Sequence, residues 1–492
     1  MTYSTLTNHF NRISHIESAL GVLHWDMSTM MPQGGAAGRG DQLATLNGIA
    51  HGMRTDERIA DWLSAADGEQ LDDWQRANLN ELNREYANAT VLPAQFVEAF
   101  SRACTQCETV WRKARGANDF ASLAPALNEV VKLVREKAQI LSEHHGLSLY
   151  DSLLDQYDPG TRSADVDVLF EELEGFLPDL LGQVIERQER AGMVALQGPF
   201  SVESQRTLGL KIMEILGFDF EHGRLDVSAH PFCGGSADDV RITTRYSVDD
   251  FTQSLMGVIH ETGHALYELG LPIQWRGQPV GKARGMSMHE SQSLLMEMQA
   301  CRSREFLQFV TPMLRDSFNG EGEAWTTENL YRLYTRVERG LIRVDADEVS
   351  YPLHVILRYR LERALLSGDL QVGDLPGAWR DGMRTLLGVE PPDDRDGCMQ
   401  DIHWNMGAIG YFPTYTLGAM NAAQLFEAAV RSDAEILPGI AGGDFKPLVA
   451  WLRENVHGKA SRYSMSELMT RATGRPLEVS VFREHLERRY LG

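Results

Sequence analysis

The chain has 492 residues, of which 43% are hydrophobic and 24% charged, with a formal net charge of −22. That composition suits a globular protein with a large core. The acidity argues against a nucleic-acid partner, which needs a basic face, and against docking on an anionic membrane. No apolar run approaches the roughly 18 residues that a membrane-spanning helix requires.

The opening "MTYSTLTNHFNRISHIESAL" has no basic stretch leading into an apolar one, so no signal peptide is read and the cytoplasm is the expected compartment. Within it and just beyond, Ile13, Ile16, Leu20 and Leu23 recur at helical spacing. "PQGGAAGRG" (residues 32–40) lacks the Gly-Lys-Ser/Thr ending of a phosphate-binding loop, which leaves a glycine-rich active-site loop as its alternative use. Cys104 and Cys107 form a CxxC in helical surroundings, with no second pair for a zinc ribbon, so two ordinary helix cysteines are expected. Together with Cys233, Cys301 and Cys398 they make an odd, sparse set that fits a reducing compartment.

Farther along, Leu127, Val130, Val131, Val134, Ala138 and Leu141 form a clear apolar stripe. Helices are also expected near 70–90, 165–190, 204–216, 250–270, 286–310, 326–340, 350–366 and 415–432. The one near 204–216 would open at Ser201 or Ser204 and stop at Gly217. One stretch differs: Val240, Ile242 and Thr244 alternate with Arg241, Thr243 and Arg245, the period of a half-buried strand. "GRLDVSAHPF" is its plausible partner. The expected fold is mainly α, one domain over 1–492 with two lobes around a cleft and a small β-sheet.

Just after that sheet comes "GVIHETGHALYELG". His260 and His264 are one helical turn apart and project from one face, with Glu261 beside them. This H-E-x-x-H spacing gives two neutral imidazoles to Zn²⁺ and a glutamate that serves as general base. The plain alternative is an amphipathic helix with a solvated polar face. Downstream, "GMSMHESQSLLMEMQACRS" offers Glu290 as a third ligand, with His289 competing for the place. Glu268, one turn after His264, would orient that histidine or be an ordinary surface residue.

Six ordered blocks carry a family resemblance: "HPF" (230–232), "DVRIT" (239–243), "HETGH" (260–264), "HESQ" (289–292), "IRVDAD" (342–347) and "GCMQDIHW" (397–404). Weaker echoes are "HWDMSTMMPQGG", "YDSLLDQYDPG" and "TGRPL". The chain resembles the carboxypeptidase Taq family of zinc metallocarboxypeptidases. It departs mildly where many relatives read Arg and Trp and this chain has Leu294 and Met296. The resemblance implies a mostly helical protein with a deep groove and the metal at its floor, similar to neurolysin and angiotensin-converting enzyme. It also implies a homodimer, and Glu290 as the third ligand. The expected activity is release of single C-terminal amino acids from peptides with broad specificity, using Zn²⁺, with Co²⁺ or Mn²⁺ as possible substitutes.

Under that reading Glu261 takes a proton from water and hands it to the leaving amine. By resemblance to the wider helical zinc-peptidase group, His403 and Tyr411 face the oxyanion, with Tyr415 as the competing tyrosine. The free carboxylate of the substrate calls for an arginine fork. The family's motifs point to Arg343 and Arg241. The bland alternatives are an ion pair of Arg343 with Asp345 or Asp347 and a solvent-facing Arg241. Gln400 adds a hydrogen bond, and His230 either lines the site or only shapes a turn. An endo- or dipeptidyl oligopeptidase would share the metal site without the carboxylate clamp. A scaffold that merely keeps the fold would have no need of Glu261.

Overall fold

The computed structural model describes residues 2–492, and α-helices carry most of them, with one three-stranded sheet. The helix expected near 204–216 runs Val202–Leu216; the Ser201 side chain accepts from the Ser204 amide, and Gly217 ends it in the left-handed region (φ 96°). Four expectations need revision. The helix near 326–340 is only Thr327–Tyr334. The segment near 165–190 is two helices, Ser163–Glu174 and Leu177–Ala191, the second with a proline in its first turn. The segment near 286–310 is Gly285–Leu294, a π-helical turn Leu295–Ala300, and Arg304–Phe318 restarted by the Ser303 cap. The glycine-rich stretch is no open loop. Gln33–Gly35 is a short 3-10 turn that leads into helix Ala36–Arg54, where Arg39 binds Asp26 (2.7 Å) and the Leu23 carbonyl (2.8 Å) of the first helix.

Among the described residues three apolar cores result. Tyr3, Leu6, Phe10 and Ile13 of helix Thr2–Thr29 pack with Ile59, Leu63, Leu79 and Leu82 in an N-terminal cluster. The largest core runs from Cys107 to Tyr490 and contains the stripe of helix Phe120–His145. The third lies under the sheet.

The sheet has order β1-β3-β2, with β1 Gly223–Val227, β2 Phe232–Ser236 and β3 Asp239–Thr244. β1 runs parallel to β3 and β2 antiparallel to it. The expected partner of β3 is therefore β1, and the tail of that stretch begins β2. Val240 and Ile242 of β3 meet Val258 and Ala265 of helix Thr252–Gly270 in the third core. Alternation along β3 thus sets which face of that helix is buried and how its histidines are turned.

Candidate metal centre

Helix Thr252–Gly270 carries His260, Glu261 and His264; helix Gly285–Leu294 carries Glu290. One ligand atom from each of His260, His264 and Glu290 lies within 4.8 Å of the others. His264 Nε2 is 3.6 Å from Glu290 Oε2. Two glycines make this approach possible. A Cβ on Gly263 would stand 2.4 Å from the Gln292 carbonyl oxygen, so only glycine lets the two helices come this close. A Cβ on Gly418, in helix Pro413–Ser432, would stand 2.8 Å from Glu290 Cβ.

The start of the Glu290 helix is held from a distance. Its own N-cap, Arg284, gives no side-chain cap. Buried Asp158, from the "YDPG" turn, accepts instead from the Ser287 amide (3.2 Å) and hydroxyl (2.7 Å). This gives the "YDSLLDQYDPG" block a concrete task in the site.

Each histidine has one ring nitrogen engaged by the protein. His260 Nδ1 lies 2.8 Å from Glu297 Oε2, and Glu297 Oε1 accepts from Arg302 (2.6 Å). His264 Nδ1 lies 3.0 Å from the His289 carbonyl oxygen and 2.7 Å from His289 Nδ1. His289 Nε2 in turn donates to Glu268 Oε1 (2.9 Å). So Glu268 does not touch His264; it fixes His289, which steadies His264. This arrangement leaves Nε2 of both histidines for an ion, with the tautomers set by their partners. Burial works against charge on His260, but the Glu297 hydrogen bond and the charges of Glu290 and Glu261 push it up to about 10. Burial lifts Glu290 and pushes Glu261 up to about 7. The charges of Glu290, Glu297 and Glu261 all act on His260, and such a gathering of negative charge favours a bound cation. The donor set fits a small divalent ion with two imidazoles and one carboxylate.

The oxyanion candidates form a cluster beside this group. His403 Nε2 lies 3.1 Å from the Tyr415 hydroxyl, and the Tyr411 ring packs on Tyr415 with centroids 5.2 Å apart. Burial lowers His403 to about 4, so it is neutral, and pushes Tyr415 up to about 12; Tyr411 is also raised by burial. The charge of Glu290 acts on both tyrosines, and Tyr415 stands three residues before Gly418, which packs against Glu290.

Arg343 is buried, stacks over Tyr415 (4.8 Å) and donates to Asp401 through Nε (3.1 Å) and one terminal nitrogen (2.8 Å). Its partner is thus Asp401. Asp347 instead accepts from the amides of Glu338, Val349 and Ser350. Arg358, fully buried and passed over in the sequence, shares Asp401 (2.6 Å). The Gln400 amide is spent: its oxygen accepts from the Arg343 amide and Arg358, and its nitrogen donates to the Leu341, Asp396 and Gly397 carbonyls. It braces Arg343 through the Arg343 amide. Arg241 is forked onto Asp239 and stacked over Trp25 (4.2 Å). His230 is exposed. The sequence also gave no weight to Glu297, Gly263 and Gly418; a signal for Glu297 was its place two turns after Glu290.

Two histidines one turn apart, a glutamate from the next helix and a buried glutamate beside them define a metallopeptidase site. The chain belongs to the carboxypeptidase Taq (M32) metallopeptidase family, whose family model matches residues 5–490. Thermostable carboxypeptidase 1 of Thermus thermophilus is 38% identical over 501 residues, covering 99% of this chain and 98% of that protein. Metallocarboxypeptidase 1 of Trypanosoma cruzi superposes with a TM-score of 0.98 at 40% identity, over 100% of this chain and 99% of that one. The M32 carboxypeptidase of Deinococcus radiodurans R1 gives 0.94 at 35% identity, over 99% and 98% of the two chains. The protein is a metal-dependent carboxypeptidase that hydrolyses the C-terminal peptide bond of peptides.

Proposed function

We propose that the ion is zinc, held by His260, His264 and Glu290, with Co²⁺ or Mn²⁺ as workable substitutes. The observation that supports this is the engagement of the two Nδ1 atoms, by Glu297 and by the His289 carbonyl, beside a carboxylate whose Oε2 lies 3.6 Å from His264 Nε2 in a group whose ligand atoms gather within 4.8 Å. When bound, zinc supplies a Lewis acid for the scissile carbonyl and lowers the pKa of water toward about 7.

The chain's own residues do the rest. Glu261, buried and raised to about 7 by that burial, takes a proton from the attacking water and delivers it to the leaving amine. Tyr411 and Tyr415, protonated well past neutrality, offer hydroxyl hydrogens to the oxyanion. Neutral His403 holds Tyr415 in place through its 3.1 Å contact. Arg343 keeps a terminal nitrogen beyond those on Asp401, near the Tyr351 hydroxyl at 3.5 Å, and reads the substrate carboxylate with it. Arg241 and His230 have no contact with the ligand group in this reading and stay outside the chemistry.

The test is a peptide with a free C-terminus set against the same peptide amidated, with metal content measured alongside. Stepwise loss of single residues from the free peptide alone supports the reading. Equal internal cleavage of both peptides refutes the carboxylate clamp.

A cytoplasmic setting is supported by five free cysteines, with burial holding Cys104 up at about 11 and Cys107 up at about 12. A homodimer follows from the family resemblance, and light scattering checks it.

A further inference from the structure

Glu362 lies on helix Tyr351–Ser367 and is fully buried. Its carboxylate accepts three hydrogen bonds. Trp404 Nε1 donates to Oε1 (3.0 Å); the Gly410 amide (3.1 Å) and the Tyr150 hydroxyl (2.7 Å) donate to Oε2. Trp404 directly follows His403, and Gly410 directly precedes Tyr411. One carboxylate therefore grips both ends of the segment that carries the two oxyanion candidates.

That segment has little regular structure of its own. It holds one 3-10 turn, His403–Met406, and two glycines in the left-handed region, Gly407 (φ 71°) and Gly410 (φ 93°). A chain of that kind keeps its shape through outside contacts. The same helix supplies two of them one turn apart, since Arg358 binds Asp401 at the front of the segment (2.6 Å) and Glu362 binds it farther on. Burial pushes Glu362 up to about 7, against the pull of Tyr150, Trp404, Gly410 and Arg358.

We infer that Glu362 is a positioning residue for the peptidase reaction, fixing His403 and Tyr411 through Trp404 and the Gly410 amide. The inference rests on the oxyanion reading above. Three donors converge on a group that touches neither substrate nor the metal ligands, and two of the three sit next to His403, which holds Tyr415, and Tyr411, which faces the oxyanion.

The test uses the holoenzyme and a free-C-terminus peptide, with bound metal quantified. Glu362→Gln has one acceptor oxygen and turns an NH₂ toward at least one of the three donors. The expected result is full metal content, KM within about twofold of wild type and kcat lower by about tenfold or more, as for reacting groups displaced by a fraction of an ångström. Wild-type kcat in the folded variant overturns the inference. Should that variant not fold, Trp404→Phe removes one donor and keeps an aromatic ring; lower kcat at constant KM supports the inference and unchanged kcat overturns it. A non-additive double variant of Glu362→Gln with His403→Ala supports action through the segment; an additive one overturns it, since a purely structural role adds. The two readings separate as follows. Loss of kcat in His403→Ala and Tyr411→Phe without loss in Glu362→Gln removes only the present inference. Wild-type kcat in both of those variants sinks the oxyanion reading and this one with it.

Discussion

His260 Nδ1 and Glu297 Oε2 lie 2.8 Å apart, joined across two helices by a π-helical turn, Leu295–Ala300, that carries Glu297 toward the histidine. Such turns change the direction of side chains that follow within a helix. Glu297 thereby fixes the tautomer of a residue that cannot choose it alone. Glu297→Gln should leave the fold intact, because Arg302 can still reach the amide oxygen, and weaken metal affinity by about 10- to 100-fold. Chelator competition checks it; an unchanged affinity would mean that His260 is oriented by packing alone.

The glycines at the helix crossing make a second prediction. Gly418→Ala places a methyl 2.8 Å from Glu290 Cβ, so the carboxylate must move off the histidines. Gly263→Ala pushes against backbone, the Gln292 carbonyl at 2.4 Å, which cannot step aside as a flexible side chain can. Overpacking of this sort costs about 1–3 kcal/mol. Calorimetry should show Gly263→Ala melting earlier. Gly418→Ala should lose metal at a chelator concentration that wild type withstands.

The His260–His264 pair and the strand before it were legible because each follows from a local period, 3.6 for the helix and 2 for β3. Glu290 was legible only as one of two neighbours. The choice between it and His289 depends on how closely two helices approach, which Gly263 sets and no periodicity encodes. For Arg343, expected to read the substrate carboxylate, the sequence offered Asp345 and Asp347 as the alternative ion-pair partners. Its partner Asp401 lies 58 residues away, brought in by Arg358 on an intervening helix. The π turn at Leu295–Ala300 was invisible because its residues are as apolar as those of an α-helix, and only the spacing of the hydrogen bonds differs.

Glu261→Gln removes the proton acceptor while leaving His260, His264 and Glu290 in place. Glu261 is not among the three groups that converge, so metal content should stay at wild-type level while turnover falls by at least about 100-fold. Metal analysis and a long single-turnover assay on the same preparation check both halves. Residual activity near wild type would assign the base elsewhere.

Stability should depend on acid through Glu348. It is buried and accepts from Gln299 (2.6 Å), His485 (2.9 Å), Arg489 (3.1 Å) and the Tyr490 hydroxyl (3.1 Å), tying helix Val479–Tyr490 to the π turn. Burial opposes its charge, but His485 and Arg489 hold it at about 2, below its ordinary 4.5. A depressed carboxyl stabilises the fold above its unfolded value, and that contribution is lost as pH falls from 4.5 toward 2. Melting temperature should drop through that window in wild type. Glu348→Gln should start lower at neutral pH and fall less steeply, and parallel curves would mean that another group sets the acid limb.

Arg343 offers the sharpest test of exopeptidase selectivity. Arg343→Met deletes the guanidinium yet leaves Asp401 paired with Arg358 at 2.6 Å, so the buried carboxylate keeps a cation. The loss should therefore fall on the substrate. A charge-assisted hydrogen bond is worth about 1.5–3 kcal/mol, so kcat/KM for a peptide with a free C-terminus should fall about 10- to 100-fold. The amidated peptide, poor from the start, should change little, and the preference between the two should collapse. Arg343→Lys keeps the charge without the fork and should recover part of the preference. If the preference survives Arg343→Met, the carboxylate is read elsewhere, and not by Arg358, whose guanidinium is fully buried and taken up by Asp401, the His354 carbonyl and Gln400.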